Sequence, residues 1–183
     1  MPVHGPDDAL CVILTFRDGV LAAAAHDLVL RVTDFEIDVD PAEPAVRARF
    51  GAASLRLVAS LRDGHRVAGP GASERQEIER TAAETVLQAG RHPQIRFRST
   101  AVSARADGGY DVTGDLSLAG RTRPVTAEVH RKGDRLVGEV RLHQPDFGIA
   151  PYSAMFGAIK VKADVFVRVS IPDPAARRPT PGV

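Results

Sequence analysis

The strongest constraint on the fold is an alternation of apolar and polar residues that recurs along most of the chain. It is clearest over residues 114–129, which read GDLSLAGRTRPVTAEV. Leu116 and Leu118 alternate with polar residues before a short turn at Ala119 and Gly120, and the alternation then resumes. Because successive side chains of a strand point to opposite faces, this pattern predicts a hairpin of two strands, each with one buried face.

Two further runs indicate where the sheet bends and where it is most regular. The apolar positions of residues 28–32 share one phase, whereas those of residues 35–39 share the other. A one-residue slip would turn the second set to the wrong face, so we predict a β-bulge or sharp bend at residues 33–34. Residues 159–171 alternate throughout and predict one long strand, whose polar face is interrupted only by Phe166.

One segment departs from the strand pattern and predicts a single α-helix over about residues 73–89. Ser73 followed by Gln76 is the sequence pattern of a capping box, and Gly90 supplies a stop signal. Helical spacing gives this segment one apolar side, formed by Ile78, Ala82, Val86 and Leu87. Many short strands with one inserted helix predict a mainly β domain, either an antiparallel sandwich or a barrel of roughly eight strands.

Length, charge and hydropathy limit the class of protein. The 183 residues suit one domain, which we place at residues 9–172 between an N-terminal extension (1–8) and a proline-rich, disordered tail (173–183). The 24 basic and 23 acidic residues nearly balance, which argues against a nucleic-acid-binding protein. No signal peptide is seen and no apolar run approaches the ~20 residues of a transmembrane helix, so we expect a cytoplasmic protein.

The sequence shows no recognisable catalytic or metal-binding motif. Cys11 is the only cysteine and lies in an apolar run, so we predict an inert buried thiol. The six histidines are scattered, and no nucleophile elbow, P-loop or dinucleotide fingerprint is present. We therefore predict no catalytic residues, no metal and no cofactor. A barrel enzyme of specialised metabolism, with its site assembled from distant strands, is the alternative.

The apolar faces could enclose either a packed core or an empty space. Tryptophan is absent and aromatic residues make up 5% of the chain, so the inward positions carry mainly small and medium side chains. A barrel lined by such residues can fail to fill its own centre at native density. Alternatively, two faces of a flattened sandwich interdigitate and give a structural or interaction module. In that case Phe166 and the helix face would bind a partner, and a homodimer is one arrangement.

Beyond the alternation, the chain carries specific segments in a fixed order. They are HDL at residues 26–28, RHPQIRFRS at 91–99 after the helix, YDVTGDLSLAGRTRPVTAEV at 110–129, and PDFGI at 145–149. Together with the final alternating strand, they resemble the YceI-like family of bacterial lipid-binding proteins over about residues 9–172. The most specific parts are HPQIRF and the hairpin, which stands where the family has G-x-L-T-L-x-G-x-T-x-P-V.

The resemblance implies a lipocalin-like antiparallel barrel with an apolar tunnel. It implies that this tunnel holds a polyisoprenoid, an isoprenoid quinone or a similar long-chain amphiphile, and it does not imply an enzyme. It therefore favours the hollow barrel and a binding or carrier protein for one apolar small molecule. Many relatives carry a secretion signal, which is not seen in this sequence.

A hollow barrel would be lined by inward-facing strand residues and by the apolar loop at residues 145–160. That loop either plugs the barrel end or forms the ligand entrance. The expected lining consists of Leu28, Leu30, Phe35, Phe97, Leu116, Val125, Val140, Phe147, Ile149, Tyr152, Met155, Phe156, Val165 and Val167. His26 and Tyr152 are the candidates for contact with a ligand head group, with a turn residue bonded to backbone as the other interpretation of His26.

Overall fold

The fold is built mainly of antiparallel strands, as the alternation predicts. The computed structural model describes residues 3–40, 44–174 and 176. Its strands in chain order are β1 (Val3–His4), β2 (Leu10–Thr15), β3 (Arg17–Asp18), β4 (Asp27–Val32), β5 (Phe35–Asp40), β6 (Ala45–Gly51), β7 (Leu55–Arg62), β8 (His65–Val67), β9 (Gln94–Ala104), β10 (Tyr110–Leu118), β11 (Arg121–Lys132), β12 (Arg135–His143), β13 (Ser153–Ala154), β14 (Ile159–Val161) and β15 (Asp164–Pro172). The helical segments are α1 (Ala72–Arg80), a π-helical continuation (Thr81–Val86) and three 3-10 turns (Ala22–Ala24, Gln144–Phe147 and Met155–Gly157).

The strands form one large and one small sheet. Twelve strands pair in the order β1-β5-β6-β9-β10-β11-β12-β15-β2-β4-β7-β8, and β13, β14 and β3 form a separate sheet. The prediction of roughly eight strands is therefore too low. One reason is that bends divide long runs of chain, since β4 and β5 are separated only by residues 33–34, and β6 and β7 only by residues 52–54.

The predicted bend at residues 33–34 is confirmed, and it is hydrogen-bonded to the neighbouring bend. The Thr33 N–H donates to the Ser54 carbonyl at 3.0 Å, and the Gly51 N–H donates to the Asp34 carbonyl at 2.9 Å. The apolar residues on both sides of the bend are buried, which is why the phase of the alternation changes there.

The hairpin of β10 and β11 forms as predicted. The two strands pair from Tyr110 opposite Val129 to Leu118 opposite Arg121. The two-residue turn places Ala119 at φ 48° and Gly120 at φ 76°, and this left-handed geometry matches the twist of a tight hairpin.

The last alternating segment is two strands instead of the predicted one. The chain breaks from sheet geometry at residues 162–163, so β14 joins the small sheet and β15 the large one. Gln144 binds both backbone positions of the break: its N–H donates to the Ala163 carbonyl at 2.9 Å and its side-chain amide donates to the Lys162 carbonyl at 3.1 Å. The Lys162 N–H donates in turn to the Phe16 carbonyl at 2.8 Å. Outside the sheet, Phe166 packs edge-on against Phe16, with ring centroids 5.8 Å apart.

The single predicted helix is present, but its ends differ from the prediction. It spans α1 and the π-helical continuation, with Gly71 as N-cap and no side-chain cap, so the capping box at Ser73 and Gln76 does not form. Ser73 lies inside the first turn because the helix begins one residue earlier, at Ala72. After the helix, Gln88 takes the left-handed conformation, with φ of 50°.

Residues assigned to the terminal segments contribute to the fold where the structure describes them. Within the predicted extension (1–8), β1 pairs with β5. Asp173 is buried and donates its N–H to the Asp134 carbonyl at 2.8 Å. Most of the predicted disordered tail, residues 175 and 177–183, lies outside the described residues.

The core is divided between two main clusters. One lies around the bends and contains Ala9, Cys11, Leu30, Val32, Phe35, Ile37, Leu55, Leu57 and Ile171. The other lies beneath the 3-10 turn after β12 and contains Leu116, Leu118, Leu142, Phe147 and Ile149. Val167 packs against both clusters, which places them on either side of the middle of β15.

Candidate ligand-binding cavity

A cavity of about 840 Å³ is lined mainly by the large sheet and the helix. This volume is in the upper part of the ~300–1,000 Å³ range typical of small-molecule sites. Its apolar walls include Ile13, Leu28, Leu30, Ile37, Val46, Phe50, Ile95, Phe97, Val112, Leu116, Val125, Val129, Leu136, Val140, Leu142, Val165, Val167 and Val169. The interior is therefore not packed solid by the described residues.

Strand alternation and small side chains together produce this space. Every second residue faces the cavity from Val125 onward on β11 and along β12 and β15, as the sequence pattern predicts. Ala48, Ala127 and Gly138 occupy three of the inward positions, where larger side chains would otherwise meet. Inward residues such as Val140 and Val165 are only half-buried because they face this cavity.

The helix supplies part of the wall beside β7. The residues of its apolar side, Ile78, Ala82, Val86 and Leu87, all line the cavity. The helix is held to the strand by Glu79, whose carboxylate accepts a hydrogen bond from the Leu57 N–H at 2.8 Å. The helix face considered above as a partner surface is thus directed inward.

Ten of the fourteen residues expected to line the cavity do so. They are Leu28, Leu30, Phe97, Leu116, Val125, Val140, Ile149, Tyr152, Val165 and Val167. Phe35 and Phe147 instead belong to the packed clusters, with exposures of 2% and 3%. Phe35 packs against Phe50, with ring centroids 6.1 Å apart, so its side chain is used in the core.

Met155 and Phe156 are not in the cavity wall, which corrects the prediction for them. Both have left-handed backbone, with φ of 50° and 54°, and their side chains are exposed. The loop at residues 145–160 therefore divides: Phe147 packs in the core, Tyr152 lines the cavity and Phe156 faces solvent.

The two predicted head-group contacts lie in different places. His26 is not part of the cavity wall, and its Nε2 atom lies 3.2 Å from Nη2 of Arg62. Tyr152 does line the cavity. Its carbonyl accepts a hydrogen bond from the Val161 N–H, next to Lys162, whose carbonyl binds Gln144 at the end of β12. The structure therefore does not bring His26 and Tyr152 together at one site.

A polar cluster at the opposite end of the cavity was missed by the sequence analysis. Arg131 donates from Nη2 to the Tyr110 hydroxyl at 3.1 Å, and its Nη1 lies 3.5 Å from Oδ2 of Asp173. All three residues line the cavity. The alternation pattern did indicate this position. Arg131 has the same phase as the inward-facing Val125, and Asp173 has the same phase as the inward-facing Val165.

Arg131 is a paired cation at this end of the cavity, which Asp40 and Glu77 also line. The hydrogen bond to Tyr110, and then the charge of Asp173, raise the pKa of Arg131 above its usual value. The guanidinium therefore stays charged, with its charge balanced by a carboxylate whose side chain is only 5% exposed. We define the Arg131 cluster as Tyr110, Arg131 and Asp173.

Cys11 also lines the cavity, and it is 1% exposed. Burial raises the pKa of its thiol to about 12, so the group remains a thiol at neutral pH. It contributes to the wall as a small apolar side chain.

The described residues form neither a metal site nor a membrane-spanning helix. In residues 3–40, 44–174 and 176, no group of three or more His, Cys, Asp or Glu side chains is placed to hold a metal ion. Within the same part of the chain, no helix is both long and apolar enough to cross a bilayer.

Comparisons with known proteins identify one protein family. The family model described as YceI-like domain matches residues 22–172. A UPF0312 protein of Shewanella denitrificans is 34% identical over 77 residues, which cover 37% of this chain and 40% of that protein. A UPF0312 protein of Vibrio parahaemolyticus is 38% identical over 73 residues, covering 34% and 39%. The matched part of the chain thus spans about 40% of the length of these curated relatives.

One solved structure gives an independent comparison of the fold. The crystal structure of BcnA from Burkholderia cenocepacia matches with a TM-score of 0.57 over 89% of this chain and 94% of that one. The two sequences are 16% identical, so this similarity concerns the fold alone.

Proposed function

The chain belongs to the YceI-like family, and on that premise we propose that it is a non-catalytic carrier for one long-chain isoprenoid lipid. The ligand's hydrocarbon chain lies in the apolar cavity, and its uncharged polar head contacts the Arg131 cluster. The observation that carries this proposal is the cavity of about 840 Å³ with its mainly apolar walls. An unfilled apolar cavity stays dry and suits a hydrocarbon ligand.

A closed barrel around the cavity is part of the proposal. Each strand pairs with the next in the order β9, β10, β11, β12, β15, β2, β4 and β7. The chain of β7 is continuous with β6 across residues 52–54, and β6 pairs with β9. In the proposed barrel, this bent run of chain completes the ring, and the helix covers the wall between β7 and β9.

Apolar burial supplies most of the expected binding free energy. Each buried methylene contributes about 0.8 kcal/mol, so a ligand that buries fifteen of them gains about 12 kcal/mol. Association costs several kcal/mol of this, which leaves an affinity in roughly the micromolar range.

The Arg131 cluster favours an uncharged head with an acceptor oxygen. Asp173 already balances the charge of Arg131, so a diphosphate would bring negative charge beside a buried carboxylate. The Tyr110 hydroxyl accepts from Arg131, which leaves its own hydrogen to donate. A quinone carbonyl or a prenol hydroxyl suits this geometry. Tyr152 lies at the other end, about 25 Å away along β12 at 3.3 Å per residue.

We expect geranylgeraniol to bind at least tenfold more tightly than geranylgeranyl diphosphate, because the two share a chain and differ in head charge. Tyr110→Phe should weaken geranylgeraniol binding about three- to tenfold, since it removes one hydrogen bond. Tyr152→Phe is the matched control and should change affinity less than twofold. Displacement of a fluorescent apolar probe measures all of these affinities.

The opposite order of lipid affinities, or the opposite effects of the two tyrosine variants, would refute the assignment of the head group. If the diphosphate binds more tightly, the head is anionic; if only Tyr152→Phe weakens binding, the head lies at the other end. If neither lipid binds at micromolar concentrations, the carrier function itself is wrong.

A further inference from the structure

An exposed apolar surface lies beside the cavity end that Tyr152 lines. We define the apolar knuckle as Val20, Leu21, Met155 and Phe156. Val20 is 88% exposed and Met155 is 62% exposed, while Phe156 is fully exposed. Four neighbouring apolar side chains that face water are an unusual feature in a described surface whose other large exposed apolar residues are scattered.

The two loops of the knuckle are fixed against each other. The Leu21 N–H donates to the Ala158 carbonyl at 2.9 Å, and β3 pairs with β14 immediately beside it. Met155 and Phe156 hold consecutive left-handed conformations, which side chains other than glycine rarely adopt. This backbone directs the two side chains into solvent.

The knuckle is continuous with the cavity. Its small sheet includes Val161, which lines the cavity, and Tyr152 lies in the wall one residue before β13 while remaining 41% exposed. A molecule leaving this end of the cavity would therefore pass next to the knuckle.

Basic side chains border the same surface. Lys160 and Lys162 are exposed and flank Val161, and the stem of Lys160 lies beside Gly157 within the knuckle turn. In the described part of the chain neither lysine forms an ion pair, although Asp18 is the cross-strand neighbour of Lys160. Apolar side chains bordered by lysines suit a bilayer surface with anionic lipids.

We propose that the apolar knuckle docks the protein on an anionic lipid bilayer, with the Tyr152 end of the cavity facing the membrane. This inference rests on the proposed function in one respect, since a water-insoluble ligand must be exchanged with a membrane. In this orientation the ligand head reaches the Arg131 cluster, and the chain trails toward the bilayer.

The natural absence of tryptophan allows a direct test. Phe156→Trp gives a protein with a single tryptophan in the knuckle, and Leu10→Trp places one at the opposite end, where Leu10 is 39% exposed. With vesicles of phosphatidylcholine and phosphatidylglycerol, the emission of Phe156→Trp should shift to the blue and be quenched by brominated lipid. The emission of Leu10→Trp should not change.

A second variant tests the charge contribution. Replacing both lysines, Lys160→Ala with Lys162→Ala, should weaken binding to these vesicles roughly tenfold or more at low salt. Pure phosphatidylcholine vesicles should bind the unmodified protein more weakly than the mixed vesicles do.

Three results would overturn the docking proposal. They are an unchanged emission of Phe156→Trp with vesicles, an equal shift of Leu10→Trp, and a blue shift that depends on protein concentration without vesicles. The last result would mean that a second copy of the chain covers the knuckle. Geranylgeraniol binding by the same variants without vesicles is measured separately, so failure of the carrier function is distinguished from failure of docking.

Discussion

Gly138→Phe is expected to weaken lipid binding about 100-fold while the protein remains folded. Gly138 lines the cavity on β12, and a Cβ at this position would meet its nearest neighbour, Cγ2 of Val129, at 3.4 Å. The new ring therefore has room on the cavity side. It occupies the space of about four ligand methylenes, worth about 3 kcal/mol, which corresponds to roughly two orders of magnitude in affinity.

The matched control is Gly90→Phe, which adds the same side chain where no atom lies within 4 Å. Its affinity should equal that of the unmodified protein. The thermal stability of Gly138→Phe should be unchanged or higher, because the ring gains apolar contacts inside the cavity. If Gly138→Phe fails to fold, Ala127→Leu on the neighbouring strand provides the same test. A folded cavity variant that binds lipid with undiminished affinity would show that the ligand lies elsewhere.

Phe35→Ala is expected to lower the free energy of unfolding by about 3–5 kcal/mol. Phe35 is 2% exposed, packs against Phe50 and lies in the cluster around the bends. Truncation removes its buried area and leaves a void that the hydrogen-bonded bends cannot easily close. For a chain of this length, the midpoint of thermal unfolding should fall by about 10 °C.

Phe156→Ala is the matched control because it deletes the same atoms from a fully exposed position. We expect its free energy of unfolding to change by less than about 0.5 kcal/mol. Chemical denaturation of the two variants measures the difference. Equal stability of Phe35→Ala and Phe156→Ala would contradict the assignment of Phe35 to the core.

The sequence predicted the parts of the fold that depend on local periodicity. The phase of β15 places Val165 and Val167 inward, and the phase change at residues 33–34 correctly located the bend. The division of residues 159–171 into two strands could not be predicted in this way. The break is held by non-local hydrogen bonds such as that of Gln144, which lies 18 residues before the backbone that its side chain binds.

Residues that line the cavity were predicted well on strands and poorly in the loop. An apolar residue in a regular strand is inward or outward according to its phase, whereas a loop residue depends on its own backbone angles. The left-handed conformations of Met155 and Phe156 turn them into solvent, and no periodicity indicates this. Arg131 was missed although its phase is inward: it lines the cavity at the strand end while its side chain stays 43% exposed.

The arrangement gives the cavity two chemically different ends. One end carries the Arg131 cluster, whose balanced charge and hydroxyl suit an uncharged oxygen. The other end adjoins the apolar knuckle, bordered by Lys160 and Lys162. In the proposed function, these two ends would let the protein take up one lipid in a defined direction and shield its chain from water.

Native mass spectrometry of the protein, purified without detergent from cells that naturally produce it, tests the central claim most directly. The account predicts a species heavier than the polypeptide by the mass of one isoprenoid lipid, and this added mass should be absent from Gly138→Phe. Protein that is empty, and that gains no mass after incubation with geranylgeraniol or a short-chain isoprenoid quinone, would contradict it.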